Sequence, residues 1–579
     1  MRLAPRLGGS LALRHRAAAL MALMAVLTAA PAAAATPPAA RAHHAMVAGP
    51  EPIAVDRALA VLRSGGNAVD AAVTMALVLA VTHPQAGNLG GGGYMLIRMA
   101  TGESVVIDYR ETAPAAATRD MFLDAAGAVA AGESLRTYRA SGVPGTVAGL
   151  ALALEKHGSI RWAAAVRPAI ELARHGFVVG RGLEENLENK RAEMEAWPAT
   201  RKIFFKDGAP LKEGDRLTQP ELAQTLKTLE REGPRSFYTG RIARTLEADM
   251  KTHGGLITAA DLAAYRPIER PPLTGRYRSF DVLTTPPSSA GGVALLETLR
   301  MLEPFDLKAL GHGSSAYIHL VCEATKRAFA DRSRWLGDPA FTAVPLAQLL
   351  SPSYAAARMK GFDPERATPA ETAGPGDPLH EGQSTTHFSI LDEAGNVVSN
   401  TYTLNERFGN GAVVEGLGFL LNNEMDDFAS APGQPNLFGL TGSEANSIAP
   451  GKRMLSSMMP TILLDHDPAG RTRPRLVVGS PGGSAIITAV LQVVLGVADF
   501  DMELREAVDA PRFHHQWLPD RIGLEKGFSA DVWEALRRRG HVVVEADPRG
   551  EIQAILTDRD GAWIRGASDS RGYGLARGY

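Results

Sequence analysis

The spacing of apolar residues divides the chain into a helix-rich part and a strand-rich part. Apolar residues recur at helical spacing over 46–63, and almost every residue is apolar over 68–82. The sequence therefore predicts two helices, separated by Gly65-Gly66-Asn67. Helical patterns also dominate between residues 150 and 350. After Thr385 the pattern changes to an alternation of apolar and polar residues, which is typical of strands.

The strand patterns favour one layered fold over separate domains. Two hairpins, four further strands and one long helix are predicted, most of them in the C-terminal third. A strand-rich end after a helix-rich start indicates an α+β fold with a two-sheet core and helices outside it. The predicted hairpins cover 94–99 with 104–111 and 386–391 with 397–404, the strands cover 459–464, 475–479, 541–545 and 553–557, and the helix covers 485–497.

The first 35 residues have the organisation of a secretory signal peptide. Four arginines precede an apolar run at 17–30, and Ala33-Ala34-Ala35 follows as a small-residue cleavage site. The run falls short of the ~20 residues that a membrane span needs. We therefore expect residues 1–35 to be removed from an exported protein, either periplasmic or secreted. A retained N-terminal anchor is the alternative.

Composition narrows the possible partners. The formal net charge is −2 at pH 7, which argues against an electrostatic partnership with nucleic acid or a membrane surface. Later apolar runs are too short to span a membrane.

Cys322 is the only cysteine, so an intrachain disulfide is excluded, and we expect it to be a buried small residue of a helix. The pairs His43-His44 and His514-His515 lack the spacing of a helical zinc site, and no metal or cofactor is expected.

The boundary between the two patterns carries the candidate nucleophile. A Pro-, Gly- and Ala-rich linker at about 364–384 leads into Ser384-Thr385-Thr386. A threonine hydroxyl needs a base to become nucleophilic, and the sequence has no G-x-S-x-G elbow. If the chain is cut between Ser384 and Thr385, the new α-amino group, with a pKa near ~7.7–8.0, can serve as that base. The cut would give a large subunit, 36–384, and a small subunit, 385–579. An ordinary strand start is the alternative.

Two further features suggest what surrounds Thr385. A three- or five-residue loop centred on Ala394 would put Thr403 directly opposite Thr385. Gly482-Gly483 lies between a predicted strand and a predicted helix, where backbone N–H groups can stabilise an oxyanion. A plain strand–helix turn is the alternative. Four glycines at 90–93 indicate a tight loop; a phosphate-binding loop is disfavoured because a strand follows it.

Several long motifs, in order along nearly the whole mature chain, resemble the γ-glutamyltranspeptidases. This family, also called glutathione hydrolases, belongs to the N-terminal-nucleophile hydrolases. The motifs include the segments at 83–93, 108–111, 141–145, 385–387, 421–428, 452–458 and 479–484.

The resemblance implies a four-layer αββα sandwich formed jointly by two autocleaved subunits, with Thr385 as both nucleophile and base. It implies that Thr403 supports Thr385 and that Gly482 and Gly483 supply the oxyanion N–H groups. The head of a γ-glutamyl group is a zwitterion, which requires a cation for its carboxylate and carboxylates for its ammonium. From the residues alone, a strand-end arginine and a solvated acidic run are the plainer interpretations. The resemblance assigns the carboxylate to Arg110, Ser456 and Ser457, and the ammonium to Asn405, Glu424 and Asp427.

Family membership implies transfer of γ-glutamyl groups from glutathione or similar compounds to water, amino acids or dipeptides. The segment 432–442 matches a mobile lid loop, but Phe438 stands where tyrosine is common and offers no hydroxyl to Asn405. Glu424 is glutamine in some relatives. Two alternatives stay open: a glutaryl or cephalosporin acylase of the same fold, and an uncleaved, non-catalytic exported binding protein.

Overall fold

Two antiparallel sheets of seven strands form the centre of the structure. Alternating side chains give each strand one face toward the other sheet and one face toward a helical layer. The first sheet runs in the order Ala40–Ala42, Ile564–Ser568, Gln553–Thr557, Thr472–Gly479, Thr461–His466, Phe280–Thr284 and Leu273–Tyr277. The second runs in the order Leu575–Gly578, Met46–Gly49, Thr386–Leu391, Val397–Thr403, Gly92–Arg98, Ser104–Asp108 and Ile268–Arg270.

The computed structural model describes residues 38–374, 385–431, 434, 442–467 and 469–579. Within this range Ala39–Tyr579 form one unit. The predicted signal peptide, Ser384 and Phe438 lie outside the described residues. So do the linker from residue 375 onward and most of the predicted lid.

A helical layer covers the outer face of each sheet, which confirms the predicted αββα sandwich. Ala68–Thr82 is buried along its whole length against the second sheet, as its continuous apolar run predicts. Ala485–Ala498 packs against the first sheet, and Ser315–Trp335 packs on Gly291–Leu302 within the same hydrophobic cluster. The other helices of at least eight residues are Pro52–Arg63, Thr146–His157, Trp162–His175, Arg181–Asn189, Pro220–Glu232, Gly240–Thr252, Gly291–Leu302, Pro352–Met359 and Ala530–Arg538.

The space between the two sheets contains polar side chains that bridge them. Ser389 Oγ donates to the carbonyl of Gln553 at 3.0 Å, and Ser399 Oγ donates to the carbonyl of Val478 at 3.3 Å. The ring of His387 fills the space beside Gly479, where a Cβ would lie 2.2 Å from the ring. These contacts fix the strand Thr386–Leu391 in the middle of its sheet, so the residue before it has a firmly held position.

Two sequence predictions of secondary structure, the helix over 46–63 and the strand over 541–545, require correction. Residues 46–49 form a strand, not the start of a helix, because they pair with Ser389–Leu391 and Leu575–Gly578 on either side. The helix begins only at Pro52, after Pro50. The predicted strand at 541–545 is shorter, Val543–Glu545, and lies in a separate three-stranded sheet.

The described part of the predicted linker is largely exposed but is anchored at Ala370 and Ala373. Residues 370–373 form a helical turn, and Ala370 and Ala373 are buried. The Trp517 indole Nε1 donates to the Ala370 carbonyl at 3.0 Å, and Asp520 accepts from the Ala370 N–H at 2.8 Å. The chain before residue 375 is therefore anchored on the part of the fold that follows Thr385. Cys322 is fully buried in its helix, as predicted.

Candidate active site

Thr385 immediately precedes the central strand Thr386–Leu391 and is partly buried. Thr386 pairs with Tyr402, and Leu391 pairs with Val397, around a connection at 392–396. Continuing this register by one residue sets Thr385 opposite Thr403, as the hairpin geometry predicted. Short loops between antiparallel strands fix the register in this way.

Thr403 ends its strand and is held from both sides. Its Oγ1 accepts from the Asn405 N–H at 2.7 Å, and its carbonyl accepts from Asn88 Nδ2 at 2.9 Å. A Cβ on Gly91 would lie 2.0 Å from that same carbonyl. The glycine run therefore lets one backbone pass directly against another, and no phosphate need be invoked.

The predicted oxyanion loop follows the strand Thr472–Gly479 and leads into the helix Ala485–Ala498. Gly482 has φ +130° and Gly483 has φ +56°, a region that residues with a side chain rarely adopt. Within the described residues, neither of the two N–H groups donates a hydrogen bond to another group. The loop thus presents two free donors at the first turn of a buried helix.

Ten residues are predicted to act in catalysis or substrate binding, and nine of them line one cavity. Met458 and Ile486 complete its wall. Gly482 lines a second cavity, and Thr385 borders both. The nine residues in the first cavity are Arg110, Thr385, Thr403, Asn405, Glu424, Asp427, Ser456, Ser457 and Gly483.

Arg110 pairs with the acidic residues of this cavity, where the sequence predicted separate roles. Its fully buried guanidinium lies 2.6 Å from Glu424 and 3.4 Å from Glu111, and it also pairs with Asp427. Burial alone would lower the pKa of Arg110, but the three carboxylates together raise it above its ordinary value. Its positive charge is therefore permanent.

Burial also perturbs the acids around Arg110. It raises the pKa values of Glu424 and Asp427, and the charge of Arg110 opposes the rise. Burial raises the pKa of Glu111 to about 7, although the charge of Arg110 opposes this rise as well. Because desolvation disfavours the ionised form, these carboxyl groups share fewer than three negative charges near neutrality.

Arg332 is a site residue that sequence reasoning missed. It lies in the last turn of Ser315–Trp335, donates to Ser457 Oγ at 3.4 Å, and interacts electrostatically with Asp427. Burial lowers the pKa of its guanidinium to about 10. An arginine near a helix C-terminus usually faces solvent, so the local sequence gave no signal for a buried one.

A buried asparagine joins three motifs that are far apart in the sequence. Asn422 Nδ2 donates to the carbonyls of Gly90 and Gly142 at 2.7 and 2.8 Å, and its Oδ1 accepts from the Gly142 N–H at 2.8 Å. Asn405 adopts φ +75° and donates from Nδ2 to the Asn423 carbonyl at 3.0 Å. These contacts position the loop that carries Glu424 and Asp427 next to Thr403.

The histidine pairs of the sequence make ordinary hydrogen bonds. His43 contacts the Ala562 carbonyl, and His44 contacts Glu393, both at 2.9 Å. His514 contacts Thr488 at 2.7 Å, and His515 contacts Asp520 at 3.1 Å.

A third group, which the sequence did not suggest, is His319, Glu323 and His541, whose ligand atoms lie within 4.8 Å of one another. The two histidines bond to each other at 2.7 Å, and Glu323 pairs with Lys326 and Arg327. The neighbouring cations do not suit a metal ion. Among the described residues, no helix combines the length and apolar character needed to cross a bilayer.

The sandwich, with a threonine at the start of a central strand and free N–H groups beside it, has the architecture of an N-terminal-nucleophile hydrolase. The family model of the γ-glutamyltranspeptidases matches residues 54–579. The chain belongs to that family. It is 47% identical over 533 residues to the glutathione hydrolase proenzyme of Escherichia coli K12, covering 92% of this chain and 91% of that protein.

Other relatives include acylases. The acylase ACY 1 proenzyme of Pseudomonas sp. V22 is 38% identical over 527 residues, covering 89% of this chain and 90% of that protein. The cephalosporin acylase of Bacillus halodurans superimposes with a TM-score of 0.81 at 26% identity, covering 95% of this chain and 99% of the other. The γ-glutamyltranspeptidase of Helicobacter pylori superimposes with a TM-score of 0.55 at 41% identity, covering 56% of this chain and 93% of the other. Fold alone therefore does not separate the two activities.

Proposed function

We propose that this protein is a γ-glutamyltransferase and glutathione hydrolase that cuts its own chain between Ser384 and Thr385. The observation that carries the proposal is the cavity beside Thr385, which contains the buried cation of Arg110, the buried carboxyl group of Glu424 and the largely buried one of Asp427. A zwitterionic γ-glutamyl head needs both signs of charge. The relatives named glutathione hydrolase proenzymes point to the same activity.

In the self-cleavage step, the Thr385 hydroxyl attacks the carbonyl carbon of Ser384. The C–N bond between the two residues breaks, the threonine nitrogen takes up the hydroxyl proton, and an ester links Ser384 to Thr385 Oγ1. Water then hydrolyses the ester, which frees the Ser384 carboxylate and restores the Thr385 hydroxyl beside the amine already released. The products would be the large subunit, 36–384, and the small subunit, 385–579, held together as a heterodimer.

In the catalytic cycle, the Thr385 amine takes the proton from the Thr385 hydroxyl, and Oγ1 attacks the γ-carbonyl of the donor. Gly482 and Gly483 N–H groups stabilise the oxyanion, and the Thr403 hydroxyl supports the nucleophile. The scissile C–N bond breaks, and the amine proton passes to the departing nitrogen. Water or an acceptor amine then attacks the ester, the C–O bond breaks, and a proton returns to Oγ1.

Donor binding exchanges one set of ion pairs for another. The donor carboxylate would pair with Arg110 and the hydroxyls of Ser456 and Ser457. The donor ammonium would pair with Asp427 and Glu424, with the Asn405 side chain beside them. Since Arg110 already pairs with these acids, the zwitterion inserts between charges that the fold holds ready.

Export through removal of residues 1–35, to a periplasm or beyond the cell, completes the proposal. Amino acids and dipeptides are the proposed acceptors.

The deciding experiment is denaturing electrophoresis with N-terminal sequencing of the purified protein. The wild type should give two bands, the smaller starting Thr-Thr-His-Phe, while Thr385→Ala should stay a single band. The two-band protein should release the anilide from a chromogenic γ-glutamyl anilide, faster with a dipeptide present. An uncut wild-type chain would refute the processing step and favour an exported binding protein.

The acylase alternative draws support from the superposition on the cephalosporin acylase. Glutaryl and cephalosporin side chains lack the α-ammonium group, so the buried acids would have no partner on such substrates. A comparison of γ-glutamyl and glutaryl donors separates the two functions.

A further inference from the structure

A second cavity of about 120 Å³ borders Thr385 on the side of Gly482. A larger space of about 340 Å³ lies next to it, and the two share the wall residues His83, Gln85, Asn186 and Glu551. The cavity that contains Arg110, Glu424 and Asp427 is called the head-group cavity, and in the proposed function it receives the acyl part of the donor. The leaving amine must therefore depart, and the acceptor amine must arrive, from another side of Thr385. This second cavity is the described space that meets Thr385 there.

Two arginines line the second cavity, and they differ in what they already bind. Arg571 pairs with Glu525 and Asp569, and it also donates to the carbonyls of Val508 and Ala510. Its donors are thus committed to the fold. Arg407 is partly buried, and its guanidinium makes no hydrogen bond or ion pair within the parts of the chain that the structure describes.

The backbone around Arg407 explains why it faces this cavity. Asn405 and Phe408 both adopt positive φ, +75° and +64°, and the Phe408 N–H donates to the Gln85 carbonyl at 2.9 Å. This sharp turn sets Asn405 in the head-group cavity and Arg407 in the second cavity. One short segment therefore contributes to both sides of the nucleophile.

We propose that Arg407 binds the carboxylate of the leaving group and of the acceptor, so that the enzyme favours peptides with a free C-terminus on this side of Thr385. The inference rests on the proposed γ-glutamyl transfer. In glutathione, the leaving group is a dipeptide whose amine is the scissile nitrogen and whose far end is a carboxylate. Arg407 lines the same cavity as Thr385, so its guanidinium can pair with this carboxylate while the scissile nitrogen lies at Thr385.

Glu551 lines the same cavity as Arg407, so its charge would influence carboxylate binding there. Burial raises the pKa of Glu551, and the charge of Arg407 opposes the rise. No ion pair joins the two side chains within the described residues, so Arg407 keeps its donors for a ligand. The negative charge of Glu551 should weaken carboxylate binding, and Glu551→Gln should strengthen it.

The test compares acceptors and donors that differ only in a carboxylate. Transfer to glycylglycine is measured beside transfer to glycylglycinamide, and glutathione beside a γ-glutamyl anilide that has no carboxylate on its leaving group. Arg407→Gln should reduce the preference for the carboxylate partner, as a ratio of kcat/KM values, by roughly tenfold in both comparisons, the loss expected for one charge-assisted hydrogen bond. Arg407→Lys should restore part of the preference.

Arg244→Gln is the matched control, because Arg244 is exposed on the helix Gly240–Thr252 and lines neither cavity. It should keep the wild-type ratios. Unchanged ratios in correctly cleaved Arg407→Gln, or a lower carboxylate preference in Glu551→Gln, would overturn the inference while γ-glutamyl transfer stands. A wild type that is cleaved but turns over no γ-glutamyl donor would instead overturn the proposed function, and the inference with it.

Discussion

Replacing Asp427 by asparagine tests its proposed role in recognising the donor ammonium. The side chain of Asp427 is 12% exposed and pairs with the buried Arg110 in the head-group cavity. Asparagine keeps the shape but removes the charge. Glu424 and Glu111 still lie 2.6 and 3.4 Å from Arg110, so the cation keeps compensating carboxylates. The variant should therefore fold, and its defect should appear in substrate selection.

The size of the defect follows from the burial of the site. A hydrogen bond to a charged group contributes about 1.5–3 kcal/mol, and each 1.36 kcal/mol is a factor of ten. Solvent screening is weak around Asp427, and burial raises the pKa of Glu424, which limits its ability to replace the lost charge. We expect kcat/KM for a γ-glutamyl anilide to fall about 10- to 150-fold relative to that for a glutaryl anilide.

The assay measures both anilides with wild type, Asp427→Asn and Asp426→Asn. Asp426 is the matched control, because it is the adjacent aspartate and accepts from Ser134 Oγ at 2.7 Å instead of lining the head-group cavity. Its replacement should leave the ratio of the two donors unchanged. Equal losses on both donors in Asp427→Asn would refute the assignment of Asp427 to the ammonium and favour the acylase alternative.

Two further predictions concern pH and the oxyanion loop. Because burial raises the pKa of Glu111 from 4.5 to about 7, its protonated form stabilises the fold fully below about pH 4.5, and that contribution is lost as the pH rises through 7. Thermal melts between pH 5 and 8 should show wild type losing stability relative to Glu111→Gln; parallel curves would contradict this. Gly483→Ala strains a residue at φ +56° by roughly 1–2 kcal/mol and should lower kcat by up to ~10²-fold. The control is Gly470→Ala, at φ +79° in an exposed turn, which should lose a similar amount of stability but keep the wild-type kcat. If Gly483→Ala and Gly470→Ala had the same kcat, the assignment of Gly483 to the oxyanion site would be wrong.

Local sequence predicted the parts of the fold that local interactions determine. The hairpin that sets Thr403 opposite Thr385 depends on a short turn and on alternation within a few residues. The strand Met46–Gly49 could not be predicted in this way, because its partners, Thr386–Leu391 and Leu575–Gly578, lie hundreds of residues away. Its own apolar residues fit a helix equally well, so the pairing decided the outcome.

For the site, the sequence predicted which residues take part but not how they contact one another. Nine of the predicted site residues line one cavity, but the motifs gave no sign that Arg110 would pair with Glu424 and Asp427. That pairing depends on how far the cavity is desolvated, which only the packed fold determines. Arg332 was missed for the same reason, since its burial comes from packing around its helix and not from its sequence context.

Desolvation also explains why the charges proposed to recognise the donor are needed for stability as well. A guanidinium buried as deeply as Arg110 would be strongly destabilising without nearby carboxylates. The fold therefore needs acids at this position before any donor binds. Three are present, and burial raises the pKa values of all three, so one can lose its charge without leaving Arg110 uncompensated. Under the proposed assignment, a change at Asp427 would alter selectivity for the ammonium while Glu424 and Glu111 still compensate Arg110, which would give this architecture a direct route between γ-glutamyl and glutaryl substrates.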